Sequence, residues 1–314
     1  MSNDGQRALI TCLQMQNCFD EFRSAFEERG VEAVLPTVIQ QPSEDELIEM
    51  IEDFDGMIAG DDPLTARVLA HARRMRIISK WGVGTDGIDQ DAARAAGIEV
   101  TNTPAVFGGE VADVALGYVV MLARLLHCLD ASVRAGGWLK HEGRSIAQNT
   151  LGIVGFGSIG QAVARRAMGF DLRVVAHDLA QSAHQAATNL GVAMVDRDAV
   201  FARSDFLVLC CPLTAETHHL VNARSLARMP PDSYLVNVAR GPLVDEVALA
   251  EALQSGRLAA AALDVFEEEP LPADSPLRAF EQCVFGTHNG SNTREAVLRA
   301  SALAVENLFD GLRV

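Results

Sequence analysis

The chain has 314 residues, of which 49% are hydrophobic and 22% are charged, and its formal net charge at pH 7 is −16. This length is enough for two domains that each bury a core of their own. The negative charge and the scattering of single basic residues exclude the basic patch that binds nucleic acid or an anionic membrane surface. We therefore expect a two-domain enzyme.

The N-terminal residues carry no recognisable export signal. The apolar run Ala8–Leu13 is too short for a signal-peptide core and is not followed by a small-residue cleavage site. The most apolar stretch, Val114–Ala123, falls short of the roughly 20 residues of a membrane-spanning helix. The six cysteines form neither a CxxC pair nor the spacing of a metal site. We expect a cytoplasmic protein with reduced thiols, no membrane segment and no bound metal.

Short β-branched runs alternate with helical patterns over the first hundred residues. Such alternation predicts a parallel sheet covered by helices. Ser43-Glu44-Asp45-Glu46 has the pattern of a capping box, in which the serine hydroxyl and the glutamate carboxylate bond free amides at a helix start. The predicted strands of this first series are Arg7–Leu13, Val31–Pro36, Gly56–Gly60, Arg76–Gly82 and Ile98–Asn102.

A long apolar segment, Glu110–Leu129, follows this first series. Its apolar residues cover most of the circumference of a helix, and such a helix must be buried on more than one side. We therefore expect a single helix over Glu110–Leu129 whose second buried face lies against another copy of the chain, in a homodimer.

A second series of strands and helices begins at Thr150. Its predicted strands are Leu151–Gly155, Arg173–Asp178, Phe206–Cys211, Tyr234–Arg240, Ala259–Phe266 and Val284–His288. The first strand runs into Gly155-Phe156-Gly157-Ser158-Ile159-Gly160, and the helical segment Gln161–Met168 follows. In this position the three glycines allow a tight turn, a close approach of pyrophosphate and close packing of helix on strand. The pattern predicts a dinucleotide site at Gly155, Gly157, Ser158, Ile159 and Gly160.

An acidic residue ends the second strand of this series. Asp178 lies 18 residues after Gly160, close to the offset at which a carboxylate bonds the adenosine ribose hydroxyls. Its charge would repel the 2′-phosphate of NADP, and the residues from Leu179 to Ser182 include no arginine to receive one. The sequence therefore predicts NAD as the cofactor.

Three later segments carry the catalytic pattern. Asn237-Val238-Ala239-Arg240-Gly241, then Leu263-Asp264-Val265-Phe266-Glu267-Glu268-Glu269-Pro270, then Thr287-His288-Asn289-Gly290 resemble, in order and spacing, the signatures of the D-isomer-specific 2-hydroxyacid dehydrogenases. The resemblance covers most of the chain and includes Lys80–Asp86, Asn102–Pro104 and Cys211–Thr214. It is greatest to the phosphoglycerate-dehydrogenase-like branch, although we expect no counterpart of that branch's regulatory extension. Thr287 stands where the family commonly has proline, and Asp113 where it commonly has glutamate.

The residue types suit oxidation of a 2-hydroxy acid. An imidazole, here His288, takes the hydroxyl proton while hydride leaves C2 for the nicotinamide. The resemblance assigns to Glu269 the carboxylate that orients this imidazole, which leaves Glu267 and Glu268 as solvated neighbours. Arg240 offers a planar, permanently charged fork for the substrate carboxylate and for polarising the 2-oxo group.

Further residues are assigned to the walls of the site. Backbone amides of Val83 and Gly84 are expected to hold the second carboxylate oxygen, with Lys80 close by in the sequence. The resemblance assigns Asp264 to the nicotinamide amide. It also places the following residues along the cofactor: Cys211, Pro212, Val238, His288 and Gly290. His218 and His219 are expected to be non-catalytic.

These observations predict two Rossmann-like doubly wound parallel-sheet domains with a cleft between them. The substrate domain would comprise residues 1–101 completed by 290–314, and the NAD-binding domain residues 102–289. The expected enzyme is an NAD-dependent oxidoreductase that moves hydride between nicotinamide and C2 of a small substrate such as glycerate or hydroxypyruvate, glyoxylate, or 3-phosphoglycerate. The alternative is an NAD-sensing, corepressor-like binding protein of the same fold, which would not turn over 2-oxo acids with NADH.

The loop Ala59-Gly60-Asp61-Asp62-Pro63 bears on the choice of substrate. In phosphoglycerate dehydrogenases the matching loop carries an arginine for the phosphate. Two aspartates here would repel a phosphate dianion by about 1 kcal/mol per charge pair even in water. Lys80 and Arg134 are the cations that could offset this repulsion, so the sequence favours a non-phosphorylated 2-oxo acid over 3-phosphohydroxypyruvate only slightly.

Overall fold

The structure is a computed structural model that describes residues 5–38 and 41–314. Residues 1–4, at the start of the segment in which no export signal is recognised, lie outside these ranges. The chain divides into two compact units. Unit 1 runs to Val106 and resumes over Asn292–Val314, and unit 2 spans Phe107–Ser291. The predicted roles, substrate binding by residues 1–101 with 290–314 and cofactor binding by residues 102–289, stay predictions.

The secondary structure alternates strands and helices along the chain. The strands are β1 (Gln6–Ile10), β2 (Val31–Val34), β3 (Gly56–Ala59), β4 (Ile77–Lys80), β5 (Glu99–Thr101), β6 (Thr150–Val154), β7 (Arg173–His177), β8 (Ala193–Met194), β9 (Phe206–Leu209), β10 (Ser233–Asn237), β11 (Leu258–Leu263) and β12 (Val284–Phe285). The helices are α1 (Leu13–Asn17), α2 (Arg23–Glu28), α3 (Glu44–Met50), α4 (Ala66–Leu69), α5 (Gln90–Ala95), α6 (Gly108–Arg124), α7 (Leu126–Arg134), α8 (Ser158–Gly169), α9 (Gln181–Leu190), α10 (Arg197–Arg203), α11 (Ala223–Leu226), α12 (Glu246–Gln254) and α13 (Arg294–Leu312). Short 3-10 turns lie at Phe19–Glu21, Ile51–Asp53, Gly241–Leu243 and Pro276–Ala279.

Unit 1 is a five-stranded parallel sheet in the order β2-β1-β3-β4-β5. Side chains alternate between its two faces. On one face Met57 and Ile78 join a buried cluster with residues of α3, α4 and α5. The capping box is confirmed at the start of α3, where the Ser43 hydroxyl accepts from the Glu46 amide and the Glu46 carboxylate accepts from the Ser43 amide. The predicted strand Arg7–Leu13 is wrong at its end, because Leu13 already begins α1.

The opposite face of unit 1 is covered by α13, which returns after unit 2 to pack on β3 and β4. A Cβ on Gly56 would lie 2.6 Å from a methyl group of Leu308, so the helix approaches the strand very closely. The Ser79 hydroxyl donates to the Ala304 carbonyl at 2.8 Å, and the Trp81 indole N–H donates to Ser301 at 3.0 Å. Unit 1 is therefore built from two segments of the chain.

Unit 2 is a seven-stranded parallel sheet in the order β12-β11-β10-β9-β6-β7-β8. The sequence predicts six of its strands, and misses β8 because that strand has only two residues. Helix α6 packs on α8 and on β10 and β11, while α10 packs on β6 and β7. Both units are thus doubly wound parallel sheets, and the predicted Rossmann-like class is confirmed.

The expectation of one helix over Glu110–Leu129 is wrong. Helix α6 ends at Arg124, Leu125 takes the left-handed conformation at φ 49°, and α7 starts at Leu126. The two helices are bent by 68°. Seven residues of α6 are buried within unit 2, whereas α7 has none. Apolar periodicity does not reveal this break, since a one-residue kink leaves the pattern on each side unchanged.

No single helix of the described residues is long and apolar enough to cross a membrane, and only the bent pair of α6 and α7, taken together, has the length and composition to do so.

Candidate active site

The carboxyl ends of the strands of unit 2 carry the predicted cofactor and catalytic residues. The chain order reverses between β6 and β9, which are neighbours in the sheet. Open parallel sheets bind ligands at such a switch point, beyond the carboxyl ends of the strands. The residues that follow these strand ends are Gly155, Gly157, Ser158, Ile159 and Gly160 after β6, Asp178 after β7, Cys211 and Pro212 after β9, Val238 and Arg240 after β10, Asp264 and Glu269 after β11, and His288 and Gly290 after β12.

The glycine-rich turn after β6 fits a dinucleotide. Gly155 has φ +91°, and a Cβ there would lie 2.5 Å from the Cys211 amide nitrogen. A Cβ on Gly160 would overlap the Gly155 carbonyl oxygen, whereas the space beside Gly157 is open. The N-cap of α8, Gly157, supplies no side-chain bond to the first amides of the helix. Those amides are thus available to phosphate oxygens, which the helix dipole also favours.

Asp178 is fixed against this turn. Its carboxylate accepts from the Phe156 amide at 2.6 Å and from the Ala180 amide at 2.8 Å. The next residue, Leu179, is 90% exposed. Asp178 therefore stands beside the turn with its remaining acceptor capacity available to hydroxyl groups. On the other side of the turn, burial raises the pKa of the Cys211 thiol to about 11, so this residue contributes an uncharged wall.

Replacing Asp178, the carboxylate predicted to bind the ribose, should weaken the selection of NAD over NADP. We expect Asp178→Ala to raise the KM for NAD and to narrow the preference over NADP, because the repulsion of the 2′-phosphate is removed together with the ribose hydrogen bonds. The measurement is kcat/KM for both cofactors. Asp274→Ala, which removes an exposed carboxylate from a loop, is the matched control. A wild-type preference for NADP would show that the ribose assignment is wrong.

Glu269 and His288 form a bonded pair. The Nδ1 atom of His288 lies 2.9 Å from Oε2 of Glu269. The other carboxylate oxygen, Oε1, accepts from the Phe266 amide at 3.0 Å, so the carboxylate is held at both oxygens. With Nδ1 engaged, Nε2 is the ring nitrogen that can exchange a proton with a substrate. This is the arrangement that general acid–base chemistry needs.

The backbone around His288 is held by Asp264. His288 has φ +53°, in the left-handed region, and its amide donates to the Asp264 carbonyl at 2.6 Å. The buried Asp264 carboxylate accepts from the amides of Gly290 at 2.8 Å and Asn289 at 3.3 Å. An unusual backbone conformation of this kind persists where surrounding bonds determine it. Asp264 thus positions the turn of His288, the predicted acid and base, and is also the residue predicted to bind the nicotinamide amide.

Tyr118 of α6 is a residue that the sequence analysis missed. Its hydroxyl donates to Oδ1 of Asp264 at 3.2 Å. Burial, and then the charge of Asp264, raise the pKa of Tyr118, so the phenol stays protonated and remains a donor. The only local signal is a hydroxyl within an apolar helix face, where a buried phenol usually finds a partner.

Arg240 lies in a turn that is closely packed against the loop of Glu269. The buried Asn237 side chain donates to the Arg240 carbonyl at 2.8 Å and accepts from the Ala239 amide at 3.1 Å. A Cβ on Gly241 would overlap the Phe266 carbonyl, so only glycine fits there. The guanidinium is half-buried and donates to the Ala239 carbonyl at 2.8 Å.

Two acidic residues near Glu269 add to what the sequence predicts: Glu267 was expected to be solvated, and Glu246 was not identified. Glu267 is not simply solvated, because its carboxylate lies 2.5 Å from Nε2 of His219. The Glu267 amide in turn donates to the Glu246 carboxylate at 2.8 Å. Burial raises the pKa of Glu246, with Glu267 and Glu269 adding to the rise. The Glu269 carboxylate therefore belongs to a loop that is bonded at several points.

In unit 1, Val83 and Gly84 follow β4 in a turn fixed by two side chains. The Gly82 amide donates to Thr103 at 2.9 Å, and Asn102 donates to the Val83 carbonyl at 2.7 Å. Within the part of the chain that the structure describes, the amides of Val83 and Gly84 have no acceptor. Two neighbouring unpaired amides are suited to a carboxylate oxygen.

Lys80, at the end of β4, is 5% exposed and already neutralised. Its ammonium donates to the Trp81 carbonyl at 2.7 Å and pairs with Asp61 at 3.2 Å. Asp62 is turned inward and accepts from the Thr11 hydroxyl at 2.6 Å, and burial raises the pKa of Asp62 to about 6. Arg134, the other cation considered for phosphate, pairs with Asp130 on α7. Both cations therefore have carboxylate partners.

No cluster of three or more histidine, cysteine or acidic side chains suited to a metal ion occurs in residues 5–38 and 41–314.

A known protein family matches more than half of this chain. The family model described as "D-isomer specific 2-hydroxyacid dehydrogenase, NAD binding domain" matches residues 116–290. A glyoxylate reductase of Korarchaeum cryptofilum is 39% identical over 85% of this chain and 82% of its own length. A hydroxypyruvate reductase of Thermotoga maritima is 38% identical over 86% of this chain and 89% of its own length. A D-3-phosphoglycerate dehydrogenase of Methanocaldococcus jannaschii is 36% identical over 86% of this chain, which covers 52% of that protein.

Among solved structures, the TT0316 protein of Thermus thermophilus has a TM-score of 0.87 and 36% identity, with 98% of this chain and 97% of that chain covered.

Proposed function

Because this chain belongs to the D-isomer-specific 2-hydroxyacid dehydrogenase family, we propose that it interconverts a small, non-phosphorylated 2-oxo acid, such as glyoxylate or hydroxypyruvate, with its 2-hydroxy acid. The protein is an NAD-dependent oxidoreductase that acts on CH–OH groups, and the predicted family, enzyme class and cofactor are confirmed. The enzyme class does not specify the substrate, the role of each residue or the oligomeric state, and these are the subject of the proposals that follow.

The proposal of a non-phosphorylated substrate rests on the pairing of Lys80 with Asp61. A buried ammonium that is already matched by a carboxylate has little charge left for a phosphate dianion. The names of two relatives, a glyoxylate reductase and a hydroxypyruvate reductase, support the same choice. The relative named D-3-phosphoglycerate dehydrogenase is the reason that the phosphorylated substrate belongs in the test.

The proposed cofactor site uses the residues at the carboxyl ends of the strands of unit 2. The turn from Gly155 to Gly160 and the first amides of α8 receive the two phosphates, and Asp178 accepts from the ribose hydroxyls. Bound NAD supplies or accepts the hydride at C2. The following residues line its remaining length: Cys211, Pro212, Val238, Asp264 and Gly290.

In the proposed mechanism, His288 moves the proton and Arg240 orients the substrate. During reduction the imidazolium donates its Nε2 proton to the 2-oxo oxygen, and during oxidation the neutral ring takes it back. Glu269 holds Nδ1 and stabilises the charged ring. The Arg240 guanidinium binds the carboxylate and polarises the 2-oxo group. The amides of Val83 and Gly84 bind the second carboxylate oxygen.

The substrate proposal is tested by comparing 2-oxo acids. With saturating NADH, we expect kcat/KM for glyoxylate or hydroxypyruvate to exceed that for 3-phosphohydroxypyruvate by about tenfold or more, because Lys80 and Arg134 are already paired with carboxylates and leave the phosphate without a charge-assisted bond. Asp61→Asn releases Lys80 from its partner and should narrow this preference, whereas Asp91→Asn, on exposed α5, should not. A preference of the wild type for the phosphorylated acid would refute the proposal.

We also propose a homodimer and a cytoplasmic location. Because α6 is covered within unit 2, the support for a dimer lies in the apolar side chains exposed on α7 and just after it: Leu126, Val133, Trp138 and Leu139, of which Trp138 is 78% exposed. Large apolar side chains exposed within one short segment favour an interface. The six cysteines, all free in the described structure, are typical of a reducing compartment.

The oligomeric state can be measured directly. We expect light scattering to give a dimer for the wild type and a monomer for Trp138→Asp, because the proposed interface would then have to bury a carboxylate in place of the indole. Val247→Asp, which changes a 67% exposed residue on α12, is the control and should remain dimeric. A stable, active wild-type monomer at micromolar concentration would exclude the dimer.

A further inference from the structure

Unit 2 contains a polar pocket that none of the roles above uses. It has a volume of about 270 Å³ and lies where the first turn of α10 meets the segment from Glu216 to Arg228. Three arginines line it: Arg197 from α10, Arg224 from α11, and Arg228 just after α11. These three arginines, all exposed, line one pocket in a chain whose net charge is −16.

The pocket has more arginines than carboxylates. Arg228 is paired with Asp198 at 2.9 Å, and the Glu216 carboxylate accepts from the Thr214 hydroxyl at 2.9 Å. Arg197 and Arg224 have no carboxylate within ion-pair distance among residues 5–38 and 41–314. With three arginines against the carboxylates of Asp198 and Glu216, the pocket keeps an excess of one positive charge, and Arg197 and Arg224 are its arginines without a carboxylate at ion-pair distance.

Apart from Phe201 and Leu220, the remaining wall is polar, and hydrogen bonds fix part of it. The Asn222 side chain accepts from the amides of Arg224 and Ser225, and the Ser225 hydroxyl accepts from the Asn222 amide at 2.8 Å. These reciprocal bonds fix the start of α11 and therefore the position from which Arg224 extends. His218 stacks on His219 with ring centroids 4.0 Å apart, which places a further polar ring at the rim.

Guanidinium groups bind phosphate oxygens in a bidentate manner, and a fixed polar wall lowers the entropy lost on binding. The volume admits a diphosphate or a phosphorylated compound of a few carbon atoms, but is too small for a whole dinucleotide. We propose that this pocket is a second anion site, distinct from the cofactor site, and that it binds a small phosphate-bearing molecule.

The pocket is connected to the catalytic loops through His219. The His219 side chain bonds Glu267, two residues before Glu269, and its amide donates to the Pro242 carbonyl at 2.8 Å, two residues after Arg240. The neighbouring Val221 amide donates to the Leu243 carbonyl at 2.9 Å. One wall of the pocket is thus bonded to both loops that present catalytic residues. A ligand that shifts this wall alters the placement of Glu269 and Arg240, and so changes turnover.

Calorimetry with inorganic pyrophosphate tests the site in protein saturated with NADH, so that the glycine-rich turn is already filled. We expect one equivalent to bind to the wild type, and about tenfold weaker binding in Arg224→Gln and in Arg197→Gln, since each removes a charge-assisted contact. Arg173→Gln, at the amino end of β7 and outside the pocket, is the matched control and should bind normally.

Three results would contradict the proposed anion site: no binding of pyrophosphate once NADH is saturating, displacement of NADH by pyrophosphate, or equal binding by Arg224→Gln, Arg197→Gln and the wild type.

The proposed effect of the pocket on catalysis is tested separately, by measuring kcat with and without pyrophosphate. Pyrophosphate should change kcat of the wild type by about twofold or more, and should have no effect on Arg224→Gln. In Glu267→Gln, binding should persist while the effect on kcat is reduced. Unchanged kcat in the wild type at saturating pyrophosphate would refute the connection.

Discussion

The His288→Asn variant is expected to lose about 10²–10⁴-fold in kcat while its affinity for NADH barely changes. The amide of asparagine does not titrate, so the proton has no donor or acceptor at the position of Nε2. Asparagine tolerates a positive φ, so it suits the backbone at φ +53° without adding strain. Steady-state turnover with a 2-oxo acid and fluorescence titration of NADH give the two quantities.

Two further variants make this result specific to His288. Glu269→Gln should also lower kcat, by a smaller factor, because the ring remains but a neutral amide orients and stabilises it less well than a carboxylate does. His71→Asn, which changes an exposed histidine on unit 1, should keep wild-type kinetics. If His288→Asn retained near-wild-type kcat, another group would have to be the acid and base.

Arg240→Lys should lower kcat/KM by about 10²–10³-fold, although the positive charge is kept. An ammonium cannot make two parallel bonds to a carboxylate, and it has a different reach toward the 2-oxo oxygen. The Asn237 bonds that fix this turn involve only the main chain of Arg240 and Ala239, so the fold of the turn should survive. The measurement is kcat/KM for the 2-oxo acid at saturating NADH.

The matched substitution for Arg240 is Arg173→Lys, at the amino end of β7, which should have no effect on turnover. NADH affinity of Arg240→Lys should stay within a few fold of the wild type, since the substitution acts on the 2-oxo acid. A loss confined to KM, with kcat unchanged, would mean that Arg240 only binds the carboxylate and does not polarise the 2-oxo group.

The features that the sequence predicts well are those determined by neighbouring residues. The capping box depends on Ser43 and Glu46, three residues apart, and the turn from Gly155 to Gly160 is specified by its own glycines. Parallel strands could be predicted because each combines a short apolar run with a helical pattern after it. The pairing of Glu269 with His288 follows from the family resemblance, and the structure places the two side chains 2.9 Å apart.

The features that the sequence does not predict depend on residues that are far apart in the chain. Nothing near Tyr118 indicates a bond to Asp264, which lies 146 positions later. The close approach of Gly241 to Phe266 likewise requires the packing of two loops. The break at Leu125 involves neither glycine nor proline, so no residue type marks it. The pairing of Lys80 with Asp61 joins the ends of two strands, and only their register in the sheet brings them together.

The covering of β3 and β4 by α13 has a consequence for how the chain is made. A ribosome completes the five strands of unit 1 before it reaches unit 2, but the helix that buries one face of these strands emerges only after the whole of unit 2. Unit 2 is continuous and can fold while synthesis proceeds. Unit 1 must wait, with Gly56 and Ile77 uncovered, until Leu308 and Gly311 arrive. Its nascent sheet is therefore the part of this protein that most needs protection from aggregation during translation.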